Sequence, residues 1–299
     1  MSARGMELAR DSRGTPRRGM RRTQPRGGAR TLPARMGLVL ASVVLLVIMG
    51  MAIAPALFTG FDPLATNLPA ALSPPSIEHP FGTDQTGRDV YARVVYGARS
   101  SMAIGIGAAG GAALAGLLLG ILVGLAPRPV GTAAMRGVDV VLAFPEFLLA
   151  LVVVAILGPG AFTIALAVTL AAIPVYIRLA RAHTVTLRQA EHVESAMLLG
   201  IPRAIVVARH VVPAVAGSVS VLATIGVGSA IIASAGLSFL GLGPTEPTPE
   251  WGLMMSGGRN VLGQAWWIAV FPGLTVMATV ISLSVLGRAL RRRAEGRAT

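Results

Sequence analysis

The chain has 299 residues, 54% of them hydrophobic and only 13% charged, yet it carries a formal net charge of +13. A soluble domain carries about 25% charged residues, so the composition points to lipid as solvent rather than to a soluble nucleic-acid binder. No cysteine is present, which excludes a disulfide framework, a Cys-ligated metal and a thiol catalyst; all 26 basic residues are arginine, so the chain has no lysine for a P-loop.

Residues 1–35 are rich in Arg, Gly and Pro and are expected to form a disordered basic tail, solvated near anionic headgroups rather than bound to nucleic acid. Paired arginines at 17–18 and 21–22 resemble a twin-arginine signal, but the apolar run that follows is too long for one. A helix needs about 20 apolar residues to cross the hydrocarbon core. The run 37–58 is the first such stretch and reads as an uncleaved anchor; 101–126 is the second. The region 138–177 is too long for one span, and Gly158-Pro159-Gly160 breaks it, giving spans of roughly 138–157 and 161–180. The fifth is 214–235 and the sixth 265–286. The predicted fold is therefore an all-α membrane protein with six transmembrane helices.

Six spans put both termini on one side. Of the arginines, 22 fall in the tails and in the loops on that side, and four (Arg88, Arg93, Arg99 and Arg259) on the other. The positive-inside rule then makes both termini cytoplasmic. The predicted organisation is a tail at 1–35, a first helix and periplasmic loop at 36–98, a core transmembrane domain at 99–290 with a cytoplasmic loop at 181–213, and a basic tail at 291–299.

Several patterns carry or exclude chemistry. Gly105 to Gly110 spells G-x-G-x-x-G, but it lies within an apolar span with no preceding strand and no acidic ribose ligand. With Gly116, Gly120 and Gly124 it reads instead as a small-residue face for close helix packing. Asp139 sits at one end of the third span. Glu146, beside Pro145, lies deeper; an intramembrane carboxyl either lines a pathway or pairs with a neighbouring helix. The histidines show no metal-ligand spacing, no Ser/His/Asp set is evident, and neither a cofactor nor a metal is expected. Between 191 and 213, a helical pattern broken at Gly200 and Pro202 suggests two short helices, suited either to docking in a groove or to a plain surface loop.

Four stretches resemble one family. Glu194-Ser195-Ala196, Gly200 and Pro213 are similar to the EAA loop of ABC importer permeases. His79-Pro80-Phe81-Gly82-Thr83-Asp84-Gln85-Thr86-Gly87-Arg88-Asp89, continuing to Arg99, resembles a signature of the dipeptide/oligopeptide/nickel permeases, in particular their C-type subunit. So do Asp139 to Pro145, and Leu237 to Gly243 with the following Pro247 to Gly252. Ser195 departs from the usual alanine, Ser234 stands where relatives carry Glu, and Arg288 to Arg293 replace an acidic carboxyl end. The resemblance implies a type I ABC importer permease fold in the cell inner membrane. It implies a homologous second permease, two cytoplasmic ATPase subunits that hydrolyse the ATP, and an extracytoplasmic solute-binding protein as partners, besides membrane lipid. It implies a peptide or similar small solute, with nickel complexes and glutathione as alternatives. In that frame Glu194, Ser195, Ala196, Gly200 and Pro213 form the ATPase-coupling loop. Pro145, Glu146 and Phe239 are candidates for a pathway or gate, and Gly82, Thr83, Asp84, Gly87, Arg88 and Asp89 form a periplasmic motif. An ion-coupled secondary transporter using Glu146 is the reading from another class.

Overall fold

The computed structural model describes residues 32–295; residues 1–31 of the basic tail expected at 1–35, and the last four residues of the chain, lie outside the described residues, and the first helix begins at Leu32, inside the expected tail. The described residues are helical, with one isolated bridge between Thr83 and Asp89 and no strand. In chain order the helices are α1 (Leu32–Ile53), α2 (Val90–Leu125), α3 (Arg128–Leu142), α4 (Glu146–Leu157), α5 (Ala161–Leu187), α6 (Glu191–Leu198), α7 (Arg203–Val206), α8 (Val212–Phe239), α9 (Trp251–Arg259) and α10 (Trp267–Glu295). Five stretches are long and apolar enough to cross a membrane: α1, α2, α5, the run through α7 and α8, and α10. The pair α3–α4, bent by 85°, makes a sixth if the two helices together count as one broken span.

That bend corrects the expected continuous span at 138–157. Hydropathy continues through the region, but Pro145 has no N–H to donate and disfavours helical backbone at Phe144. The helix stops at Leu142 and restarts at Glu146. The expected break at Gly158-Pro159-Gly160 is present: α4 ends at Gly158, whose φ of +86° suits glycine, and α5 begins after Gly160.

The second span also differs from expectation. α2 is 36 residues long, about 54 Å at 1.5 Å per residue, against a hydrocarbon core of about 30 Å. It begins at Val90, where the Asp89 side chain caps it by accepting from Ala92 N, and it runs on through the boundary drawn at residue 98. Its first turns stand beyond the apolar layer and are wrapped by residues 54–89, by α9 and by the start of α10. Val90, Val94, Met254, Ala265, Trp267 and Ile268 form a small core there, with Leu72, Phe81 and Phe271 against it. This end is called the loop face; the loop between α5 and α8, with both described chain ends, marks the terminal face.

Within the membrane layer α2 is central, and its most extensive partner is α5. Glycines make the approach close. A Cβ at Gly116 would lie 2.2 Å from Cβ of Tyr176, one at Gly120 2.5 Å from Cβ of Ala180, and one at Gly124 2.7 Å from Cβ of Thr184. The three α2 glycines thus meet the α5 row Tyr176, Ala180, Thr184, the arrangement by which small residues bring helix backbones together in lipid. Of the G-x-G-x-x-G glycines, Gly105 packs against Ile231 of α8, whereas a Cβ at Gly107 or Gly110 would meet nothing within 4 Å. α1 packs on α10 and α2, burying Ala41, Leu45, Ile48 and Ala52, and exposes Val39, Leu40, Val43 and Leu46. An apolar stripe facing outward is what a lipid-bathed helix presents.

Gly116→Leu is expected to lower the melting temperature of the purified protein, by overpacking worth about 1–3 kcal/mol. Gly110→Leu, where space is open, is expected to leave it unchanged; equal losses from both would contradict the proposed tight α2–α5 seam.

Candidate functional site: a membrane cavity and its loop tip

Three places hold the residues singled out from the sequence. The first is the loop face, where the segment from His79 to Asp89 folds as a clasp. Gly82 (φ +70°) and Gly87 (φ +76°) occupy left-handed turns, and a Cβ at Gly87 would lie 1.8 Å from the Asn67 carbonyl oxygen. Thr83 donates from its hydroxyl to Ala70 O and accepts from Ser73 N, and its own carbonyl accepts from Trp267 Nε1. Asp84 is 3% exposed. Its Oδ1 accepts from the Thr86 N–H at 2.8 Å and the Arg88 N–H at 3.0 Å, and its Oδ2 from Arg88 Nε at 2.6 Å. Arg93, 2% exposed, lies 3.7 Å from the same Oδ2. Both guanidiniums also reach Glu246, at 2.8 Å and 3.3 Å. Arg93 further donates to the carbonyls of Pro63 and Pro247. Two buried cations are thereby matched by two carboxylates from segments far apart in the chain. Asp89 caps α2 and takes His79 Nδ1 at 2.8 Å on its other oxygen.

Glu250 repeats this logic at α9. Its carboxylate, 1% exposed, caps the helix by accepting from the N–H groups of Gly252 and Leu253, and it accepts from the Ser101 hydroxyl of α2. Trp251 donates through Nε1 to Val94 O. The side chains of Thr83, Asp84, Arg88 and Asp89 are all buried in these contacts. Glu246 was not singled out by the sequence; only its place just before the Pro247 motif marked it.

The second place is at mid-depth. Glu146 opens α4 at the bend and lines a cavity of about 120 Å³ between α2, α5 and α8. Ala108, Ala109, Val168, Tyr176, Gly226 and Ser229 are among its walls. The walls come from near the middle of each helix. Tyr176 is fixed at the junction, with its Cβ against Gly116 of α2 and its hydroxyl against Gly226 of α8. A carboxyl in the first turn of a helix favours the positive end of the helix dipole. The cavity offers a carboxyl, a phenol and a hydroxyl on apolar walls. Pro145 sets the bend beside it. Phe239 is elsewhere: it ends α8 on the loop face, under the Arg259 guanidinium at 5.6 Å, and is not among the cavity walls. Asp139, on the terminal-face side of the bend, forms an exposed ion pair with Arg178 of α5. Ser234, buried, donates to Ile231 O within its own helix.

The third place is the tip of the terminal-face loop. α6 packs on α7 through Val193, Ala196 and Val206. Gly200 takes φ +81° at the turn, and Pro202 caps α7. Ser195 is exposed; the Glu194 side chain lies outside the described residues. A wide π-type turn at Val207–Val211 leads into α8, directly before Pro213, which has no N–H to close the ordinary helical bond. The tip carries Leu198 and Leu199, 88% and 81% exposed, with Ile201 and Ile205 also exposed. Leu198, Leu199 and Ile201 lie outside the spans and Ile205 sits at the very start of the α7–α8 run, so together they form an exposed apolar patch at the loop tip, the kind of surface that marks an interaction site.

With this geometry the chain matches the family described as binding-protein-dependent transport system inner membrane component, over residues 116–296. The chain belongs to that family. It is a multi-pass inner-membrane component of a transport system. It is similar to the dipeptide transport system permease protein of Alkalihalophilus pseudofirmus, with 38% identity covering 86% of this chain and 84% of the relative. It is 36% identical to a probable D,D-dipeptide transport system permease protein of Escherichia coli, covering 84% of each. A glutathione transport system permease protein of Escherichia coli is 42% identical, covering 73% of this chain and 72% of the relative. These relatives are all named as transport permeases.

Asp84→Asn leaves Arg88 and Arg93 buried with half their counter-charge. Breaking a buried pair costs about 3–5 kcal/mol, so a clear drop in melting temperature is expected. A melting curve indistinguishable from wild type would contradict the clasp.

Proposed function

We propose that this chain is one of two homologous permease subunits of an ABC importer for short peptides. The cavity at Glu146 is what most supports this reading: it is walled by three central helices and a bent fourth, and it lies on the exposed flank carrying α3 and α4. Such a half-cavity becomes a closed passage when a second, similar subunit covers it. The solute class follows the relatives, which are named for dipeptides and for glutathione, itself a tripeptide. Peptides carry ammonium and carboxylate groups, and Glu146, Tyr176 and Ser229 supply complementary polar contacts on an otherwise apolar wall.

The terminal face is cytoplasmic in this proposal, because 22 of the 26 arginines lie in its tails and loops and the positive-inside rule applies. The tip at Leu198 to Ile205 then faces the cytoplasm and docks in a groove of an ATPase subunit. The chain has no lysine, so P-loop hydrolysis belongs to that partner. α7 runs through the wide turn directly into α8, whose Leu222, Ile225, Gly226 and Ser229 line the cavity. Motion of the tip is thereby delivered to the cavity wall, which is the mechanical basis of alternating access. The clasp on the opposite face braces the entrance where a solute-binding protein delivers its cargo.

Leu198→Ser with Leu199→Ser alters exposed side chains only, so folding is expected to persist. The prediction is at least a tenfold loss of ATPase stimulation by loaded binding protein, with weakened co-purification of the ATPase pair. Gly200→Val, strained at φ +81°, should act in the same direction. Unchanged assembly and stimulation in both variants would remove the docking role.

A further inference from the structure

A second recognition site lies on the terminal face, away from the cavity and the tip. The ends of α1 and α10 enclose a cleft of about 310 Å³ lined by Arg35, Gly37, Leu38, Val285, Arg288, Ala289, Arg292 and Arg293. Four of these eight residues are arginines, and among the described residues no acidic side chain lines the cleft. Among the described residues none of the four arginines forms an ion pair. Val285, Arg288, Ala289 and Arg292 follow the three- and four-residue spacing of one helix face, so Arg288 and Arg292 stand one turn apart. Like charges at that spacing repel, and an anion bridging them removes the repulsion.

Depth identifies the anion. The run from Met36 to Ile53 in α1 carries no charge and follows directly on Arg35, and the uncharged run of α10 from Trp267 ends at Gly287, directly before Arg288. The guanidiniums therefore sit where hydrocarbon gives way to headgroups. Leu38 and Val285, about one turn deeper, form an apolar floor. The space beside Gly37 is open: a Cβ there would meet nothing within 4 Å. Guanidinium forks match phosphate oxygens two at a time, and a basic cleft between spans at this depth suits a phospholipid headgroup. The chain's own amino-terminal tail is a poor occupant, because residues 1–31 carry nine arginines against Glu7 and Asp11.

We infer that the cleft between α1 and α10 binds the phosphodiester headgroup of one anionic phospholipid, with Arg35, Arg288, Arg292 and Arg293 on the phosphate and Leu38 and Val285 along the first acyl carbons. The site tethers the first helix and the last to the same lipid leaflet.

The test is native mass spectrometry of the full chain purified with its partner subunits and titrated with phosphatidylglycerol, phosphatidylcholine or inorganic phosphate. One phosphatidylglycerol should be retained per chain, at least tenfold more tightly than phosphatidylcholine, and millimolar inorganic phosphate should not displace it. Arg288→Gln with Arg292→Gln should abolish the tenfold preference. Arg128→Gln with Arg136→Gln, which removes the same charge from exposed positions of α3, should keep it. If the first double variant is poorly folded, Arg35→Gln alone should still weaken retention severalfold. Equal retention by wild type and the cleft variants, equal loss in the α3 control, or displacement by inorganic phosphate would each overturn the proposal.

Discussion

The close approach of α2 to α5 is the constraint on which the other placements depend. Lipid tails are as apolar as leucine, so there is little hydrophobic gain in pressing two apolar helices together within a membrane; contact comes from dispersion and from backbones that approach closely. Gly116, Gly120 and Gly124 allow that approach along one face of α2. Tyr176 is consequently held where α2, α5 and α8 meet, and the cavity opens beside it. A side chain at any of the three glycines would push α5 outward and move the wall that Tyr176 forms.

The two ends of the molecule solve different problems. At the loop face, α2 leaves the hydrocarbon and brings Arg93 into a buried setting. That charge is tolerable because Asp84 and Glu246 arrive from two loops and the carbonyls of Pro63 and Pro247 accept hydrogen bonds from its Nη1. A charge network of this kind contributes specificity of arrangement more than net stability. At the terminal face the α6–α7 unit has, among the described side chains, a small core of Val193, Ala196 and Val206, and it leaves Leu198 and Leu199 exposed. One end is braced internally, whereas the other is left to be completed by a partner.

Much of this was readable from residue order. Apolar runs located the spans, Gly158-Pro159-Gly160 marked a real break, and the four-residue glycine spacing anticipated the α2–α5 seam. Pro145 was harder. Pro174 and Pro272 sit inside continuous helices, so a proline alone does not announce a bend, and the apolar run through 138–157 concealed this one. The length of α2 was hidden because Arg93 argues against a buried helix until Asp84 and Glu246, 9 and 153 positions away, are brought to it. Phe239 and Glu146, grouped from the motifs, lie at different depths: proximity within a family signature is not proximity in space. The cleft at Arg35 and Arg288 to Arg293 joins two segments that in sequence read as separate basic tails.

The central claim is that the Glu146 cavity is one wall of a passage that alternates between the two sides of the membrane. The chain has no cysteine, so a single thiol can be placed without background from this subunit. Ser229→Cys lines the cavity, and Leu46→Cys on the outward face of α1 is the lipid-facing control. The account predicts that, in the assembled transporter, a membrane-impermeant thiol reagent labels Cys at position 229 from one side without nucleotide and from the other when the ATP-bound state is trapped. Labelling no faster than at position 46, or from the same side in both states, would contradict it.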